Sequence, residues 1–272
     1  MAKIRVVRNE EFENHVRIKD CIPLVEGAFK AMAQGKAEHP AKYHDIGDWG
    51  LWFFMGGNVF SEQATAIKLG FAAQGVLTCQ VIYYDGETGE PRALLEGLRV
   101  TSLRTGAAAA IGAKYMARSD AKVAAFVGAG KVCWNSLEAL SSCFALEKAY
   151  IADISAAAQA SFVERAKGRY SFPVEAATIQ EGVGAADIVI SATPSRAPIV
   201  RAEWVKPGTH ISAMGSDGKG EAGDGFGPAP EGAHRLRQYR AVSQVGGYQQ
   251  FGECRAPLGE RSGRRDRPGD TG

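Results

Sequence analysis

Apolar and polar positions change rhythm once along this chain. In the first hundred residues the apolar positions come mostly in short runs bounded by glycine and charged residues. Residues 3–7 read as a strand. Ile22, Val25, Phe29 and Met32 recur at helical spacing, which predicts an amphipathic helix over residues 20–35. Short strands are expected at Trp49–Met55, Thr65–Leu69, Leu77–Tyr84 and Arg92–Leu95, the last two joined by a hairpin turn at Asp85-Gly86-Glu87-Thr88-Gly89. Thr101–Arg118 is alanine-rich and helical. Beyond it strand and helix alternate, with strands at 122–127, 149–152, 187–191 and 209–213 and helices at 136–146 and 155–167, punctuated by Pro194 and Pro207-Gly208.

The pattern predicts an α/β protein. A β-rich α+β domain is expected over residues 1–118. A Rossmann-type doubly wound dinucleotide-binding domain is expected over residues 119–220. The Lys122–Asp153 stretch carries that expectation: an apolar strand, the tight turn Gly128-Ala129-Gly130, a helix, a second apolar run (Ala149–Ala152) and then Asp153. A glycine turn of this kind lets backbone approach a pyrophosphate at a helix N-terminus, and an acidic residue about 20 positions on can hydrogen-bond a ribose 2′-hydroxyl. Asp153 favours NAD over NADP, because a carboxylate repels a 2′-phosphate. Cys133 with bulky Trp134 stands where a small third residue is usual. Cys133 reads as a thiol meeting the cofactor or as a small side chain at a packing position.

Composition narrows the picture further. The chain has 272 residues, 45% of them apolar and 23% charged, with a formal net charge of +2. That charge leaves no electrostatic footprint for nucleic acid. No apolar run reaches the length of a membrane span, and the N-terminal dozen residues lack the apolar core of a secretory signal. Cys21, Cys79, Cys133, Cys143 and Cys254 have no metal-ligand spacing, so no metal and a cytoplasmic location are expected.

Near residue 220 the text changes character. Residues 221–272 hold 11 glycines, 8 arginines and no lysine, whereas residues 1–220 hold all 13 lysines. The tail has no isoleucine and four leucines or valines in total, too few to bury much area, so it reads as aberrant or disordered. One reading is a native arginine/glycine tail; the other is a frameshift. Codons from Ala222 onward can be chosen so that reading one nucleotide later gives Gln-Glu-Met-Asp-Leu-Ala-Pro-Arg-Leu-Lys-Ala-His-Thr-Val-Phe-Val-Asn-Ile-Glu-Gln, which has the helix and strand pattern that the visible tail lacks.

Four residues carry candidate chemistry. Lys68, inside the apolar strand Ala66-Ile67-Lys68-Leu69-Gly70, can hand a proton to a carbonyl or imine, or snorkel at an edge. Arg104, at the start of the alanine-rich helix, has a fork that suits a substrate carboxylate. Asp217 follows the strand Thr209–Ala213, where a carboxylate beyond a parallel strand faces a cofactor. Lys42, in Pro40-Ala41-Lys42-Tyr43, is a second carboxylate clamp or a surface charge.

With these residues in place the chain resembles the ornithine cyclodeaminase/mu-crystallin family. The matching stretches are Asp85–Gly97, Arg99–Arg118, Val127–Leu140, Asp187–Thr193 and Val205–Lys219, and the likeness covers roughly residues 1–220. The resemblance implies NAD(P)-dependent enzymes acting on small amino or imino acids, such as ornithine cyclodeaminases, alanine dehydrogenases and ketimine or pyrroline-carboxylate reductases, as homodimers paired through the first domain. It implies that Lys68 and Asp217 are catalytic and that Arg104 and Lys42 bind substrate carboxylate. The cofactor set is Gly128, Ala129, Gly130, Lys131, Val132, Asp153 and Thr193. The chain departs from the family at Phe53, where arginine is frequent, and at Met55-Gly56 in place of Met-Pro. The loop after Lys68 (Gly70–Val76) is shorter than the common form. Two other outcomes stand beside the enzyme: a mu-crystallin-like ligand-binding protein without turnover, and an inactive frameshifted product.

Overall fold

The computed structural model describes residues 3–40, 42–195, 197–215 and 234–237. In chain order the first elements are β1 (Arg5–Val7), α1 (Asn9–His15), α2 (Ile18–Ala33), β2 (Ala37–Glu38), β3 (Tyr43–Gly47), β4 (Gly50–Val59), β5 (Ala64–Ala73), β6 (Val76–Asp85), β7 (Pro91–Glu96) and α3 (Gly97–Met116). There follow β8 (Val123–Val127), α4 (Lys131–Cys143), β9 (Lys148–Ala152), α5 (Ala156–Ala166), β10 (Val174–Ala176), α6 (Ile179–Ala185), β11 (Ile188–Ser191), β12 (His210–Ala213) and β13 (His234–Arg237).

Two sheets result. The first runs β1-β7-β6-β5-β4-β2, with β3 also on β4. It is antiparallel except for β1, which pairs parallel to β7. The second is all parallel in the order β10-β9-β8-β11-β12-β13. Counted along its own strands, that order is 3-2-1-4-5-6, the doubly wound arrangement that binds dinucleotides where the strand order reverses. The sixth position is filled by His234–Arg237, aligned with His210–Ala213. The tail expected to lack structure thus contributes a strand; its remainder lies outside the described residues.

Helix α3 lies between the sheets. Leu103, Ala107, Ala109, Ala110 and Ala113 are at most 1% exposed. A helix buried on nearly every side needs small residues all round rather than one apolar stripe. Gly106 sets its distance from α4, since a Cβ there would sit 2.6 Å from Asn135 Cβ. On the other side the Ser212 hydroxyl of β12 donates to the Ala109 carbonyl at 3.4 Å.

Several boundaries differ from the sequence reading for local reasons. The loop expected after Lys68 is a hairpin: β5 and β6 extend to a two-residue turn in which Gln74 (φ 52°) and Gly75 (φ 78°) both have positive φ. Helix α4 begins at Lys131, five residues before the expected start, because Trp134 does not obstruct the turn. Its ring faces α5, edge-on to Phe162 at 5.1 Å, with the Arg165 guanidinium 3.9 Å from its centroid. Cys133 takes the packing position against the sheet. It is fully buried, and burial pushes its thiol up to about 12, so it is a packing residue and not a reactive thiol. The short elements α1, β2, β3, β10 and α6 escaped the pattern reading altogether.

Asp187 anchors the opposite end of the parallel sheet. It accepts from the amides of Lys122 and Val123, both at 2.9 Å, and pairs with Arg118 at 2.8 Å and Lys206 at 2.9 Å. Burial pushes its carboxyl up, but the two amides and the Lys206 ammonium outweigh burial and hold it at about 2. A carboxyl depressed from about 4 contributes stability that is complete above pH ~4 and lost as pH falls toward ~2. Asp187→Asn is expected to cost about 2 kcal/mol at neutral pH and to flatten the loss between pH ~4 and ~2. Urea melts across that range check this; parallel curves for the two proteins would count against it.

Candidate active site

The glycine turn stands at the carboxyl ends of β8, β9 and β11. Gly128 has φ +107°, and a Cβ on it would lie 2.7 Å from the Ala192 carbonyl oxygen, so only glycine fits without strain. Gly130 caps α4, and a Cβ there would meet nothing within 4 Å, which leaves an open approach to the helix N-terminus. The first helical bond runs from the Trp134 amide to the Gly130 carbonyl, so the amides of Lys131 and Val132 lie in the turn where helical donors lack internal partners. Asp153, just past β9, accepts from the Ala129 amide at 2.6 Å and the Ser155 amide at 2.8 Å. Thr193 follows β11, pressed so closely by Gly215 that a Cβ on Gly215 would sit 2.3 Å from the Thr193 carbonyl oxygen. The structure brings all seven sequence-predicted cofactor residues to one end of one sheet. Open glycine, helix N-terminus and carboxylate fit a dinucleotide: pyrophosphate at α4, ribose at Asp153.

The second group converges on the first sheet. Strand alternation sends Ala66 and Lys68 of β5 toward the helices, while Ile67, Leu69 and Phe71 face outward. Lys68 and Arg104, one from a strand and one from α3, line a single cavity of about 430 Å³ under α2. Lys42 does not line this cavity, but it shares a neighbour with Lys68. Its Nζ lies 4.4 Å from the centroid of the Phe53 ring, and Lys68 Nζ lies 5.2 Å from it. That ring is buried over Gly70, its cross-strand partner, where a Cβ would fall 2.0 Å from Phe53 Cζ. Phe53 therefore has two ammonium groups within cation–π range of its ring. Asp217 lies outside the described residues.

One lining residue was missed. His39 faces the cavity, and burial, with the Arg104 charge nearby, lowers its pKa and keeps the imidazole neutral. The only hint in the sequence was its place in Glu38-His39-Pro40, three residues before Lys42. Helix α2, which roofs the cavity, is tied to α3 by Glu26, whose carboxylate pairs with Lys114 at 2.8 Å and accepts from the Tyr115 hydroxyl.

Comparison with known proteins gives the same picture. The chain is 34% identical over 233 residues to an alanine dehydrogenase of Archaeoglobus fulgidus, spanning 79% of this chain and 68% of that protein. It is 29% identical over 280 residues to an iminosuccinate reductase of Paracoccus denitrificans, spanning 98% of this chain and 84% of that one. Its fold superposes on an archaeal alanine dehydrogenase dimer with bound NAD with a TM-score of 0.75 at 32% identity, over 80% of this chain and 69% of the other. The sequence pattern of the ornithine cyclodeaminase/mu-crystallin family matches residues 3–223, up to the point where the composition breaks, and the chain belongs to that family.

Proposed function

We propose that the protein is an NAD-dependent enzyme that moves hydride at the α-carbon of a small amino or imino acid. The observation that carries this reading is the convergence of Lys68 and Arg104 on one cavity, in a chain whose other sheet ends in a dinucleotide cradle. The nicotinamide supplies a two-electron hydride acceptor or donor. The chain's own residues do the rest. Arg104, helped by Lys42, holds the carboxylate and converts an encounter into a reactive geometry. Lys68 delivers or accepts a proton at the substrate nitrogen, with Asp217 as its partner on the resemblance alone. Neutral His39 offers a hydrogen bond without adding charge beside Arg104. Oxidation of an amine to an imine followed by water gives a dehydrogenase, and the reverse hydride transfer gives a reductase. Capture of the imine by a δ-amine, with loss of ammonia and return of hydride, gives a cyclodeaminase.

The deciding assay incubates the protein with NAD and alanine, ornithine or proline, following NADH absorbance and ammonia. NADH with alanine is expected from a dehydrogenase, and ammonia without net NADH from a cyclodeaminase. Binding of NADH and amino acid with no turnover would leave the mu-crystallin-like binder. Gly128→Val tests the cradle. With φ +107° and the Ala192 carbonyl 2.7 Å from the new Cβ, it is expected to destabilise the protein by roughly 2 kcal/mol and to abolish NADH binding. Unchanged fluorescence titration would remove the cofactor assignment.

A homodimer through the outer face of the first sheet is part of this reading. That face exposes Tyr43, Trp49, Phe54 and Phe71, with Trp49 stacked on Phe71 at 5.2 Å. Contiguous exposed aromatic surface of this kind marks an interface, and the archaeal relative is a dimer. Cys21, Cys79, Cys133 and Cys143 are free thiols, which favours the cytoplasm. Among the described residues no helix is long and apolar enough to cross a membrane.

A further inference from the structure

We infer that the substrate carries an apolar side chain longer than a methyl group, which rests on reading the cavity under α2 as the amino-acid site. The cavity holds about 430 Å³, and even shared with a nicotinamide it leaves room beyond the methyl group of alanine, with exposed Leu24 at its open side. Its additional space is walled by Val25, Ala28, Phe29 and Met32 of α2 on one side and by Met55 and Val81 of the sheet on the other. These walls offer no hydrogen-bond donor or strong acceptor. The polar lining beyond Lys68 and Arg104 is brief among the described residues. His39 is kept neutral by burial, and its buried Nδ1 has no hydrogen-bond partner, so it can meet a neutral polar group but not balance a charge. Asn58 already accepts from the Thr65 hydroxyl at 2.8 Å. Glu38 is exposed to solvent.

Side-chain charge is therefore disfavoured in either sign. An ω-ammonium would sit among methyl and thioether groups with two cations at the other end of the cavity, and only solvated Glu38 to answer it. An ω-carboxylate that reached Arg104 or Lys68 would compete with the α-carboxylate for them, and one that did not would meet no cation in the lining, only neutral His39 and Asn58. Burying an unpaired charge in such surroundings is costly, whereas each buried methylene is favourable. The two methionines also let the walls adjust to branched or unbranched chains.

The test is calorimetric titration of the full chain with L-alanine, L-norvaline, L-ornithine and L-aspartate, with and without NADH. Norvaline is ornithine without its ω-amino group, so that pair isolates the charge; norvaline and alanine isolate the length. Norvaline is expected to bind roughly tenfold or more tightly than each of the other three. Ornithine or aspartate matching norvaline, alanine matching norvaline, or no amino acid binding at all would overturn the inference. NADH is titrated separately and reports on the enzyme reading: a chain that binds NADH but ranks ornithine first keeps that reading and loses this one. Ala28→Phe, which fills the α2 side of the cavity, is expected to lower the norvaline-to-alanine affinity ratio roughly tenfold. An unchanged ratio would place the side chain elsewhere.

Discussion

Lys68→Ala is expected to lower kcat by roughly two to four orders of magnitude, with a smaller change in KM. The reason is positional. Lys68 points from the middle of β5 into the cavity, held beside the Phe53 ring, and no other lysine among the described residues lines that cavity. A proton moved by Lys68 has no ready substitute, so the loss falls on the chemical step. Arg104→Lys is expected to act differently. It keeps the charge but loses the planar fork, so KM for the amino acid should rise roughly tenfold to a hundredfold while kcat falls less. Steady-state kinetics with purified variants, together with melting curves that show both remain folded, separate the two roles. Full activity in Lys68→Ala, or a purely kcat effect in Arg104→Lys, would reverse the assignments.

The second large effect concerns residues beyond 220. We propose that the gene is read one nucleotide out of register there, and the structure supplies an unexpected coincidence. The sixth strand of the parallel sheet is His234–Arg237, and with the codons chosen above the shifted text has Thr-Val-Phe-Val at those same four positions. A strand covered on both faces in a parallel sheet reads as a continuous β-branched and apolar run, which that text satisfies and His-Arg-Leu-Arg does not. The family match ends at residue 223, although the likeness to the iminosuccinate reductase runs over 98% of the chain. Restoring the frame is expected to raise the melting temperature by about 10 °C or more, since apolar and β-branched residues suit a parallel-sheet strand where arginine and histidine do not. NADH affinity should rise with it. An unbroken native frame on resequencing, or equal melting and equal NADH titration of the two proteins, would end the proposal.

Much of the site could be read in the sequence because its chemistry is local. Gly128 to Asp153 is one contiguous βαβ unit, and its residues stay together in the structure for that reason. Lys68 and Arg104 were recognisable singly, but their meeting was not. It depends on β5 alternation and on the placement of α3 against the first sheet, which are tertiary facts. His39 carried no periodic mark, and its role comes from a two-residue strand too short to show a pattern. The function of Phe53 was hidden for another reason: sequence shows the loss of an arginine, whereas packing over Gly70 shows what the ring gathers in its place. Trp134 misled because its bulk was judged against the turn, while the helix directs it toward α5.

Helix α3 carries one more consequence. Arg104, at the cavity, and Ala109, whose carbonyl meets Ser212 of the nucleotide-binding sheet, lie on the same uninterrupted helix. Five residues at about 1.5 Å each set them roughly 7.5 Å apart along its axis. The helix is thus a ruler between the two halves of the reaction, fixing how far a carboxylate gripped by Arg104 stands from the sheet that carries the cofactor. A single residue inserted between these positions would turn Arg104 by about 100° relative to Ala109 and lengthen the ruler by one step, leaving its guanidinium present but out of register with Lys68.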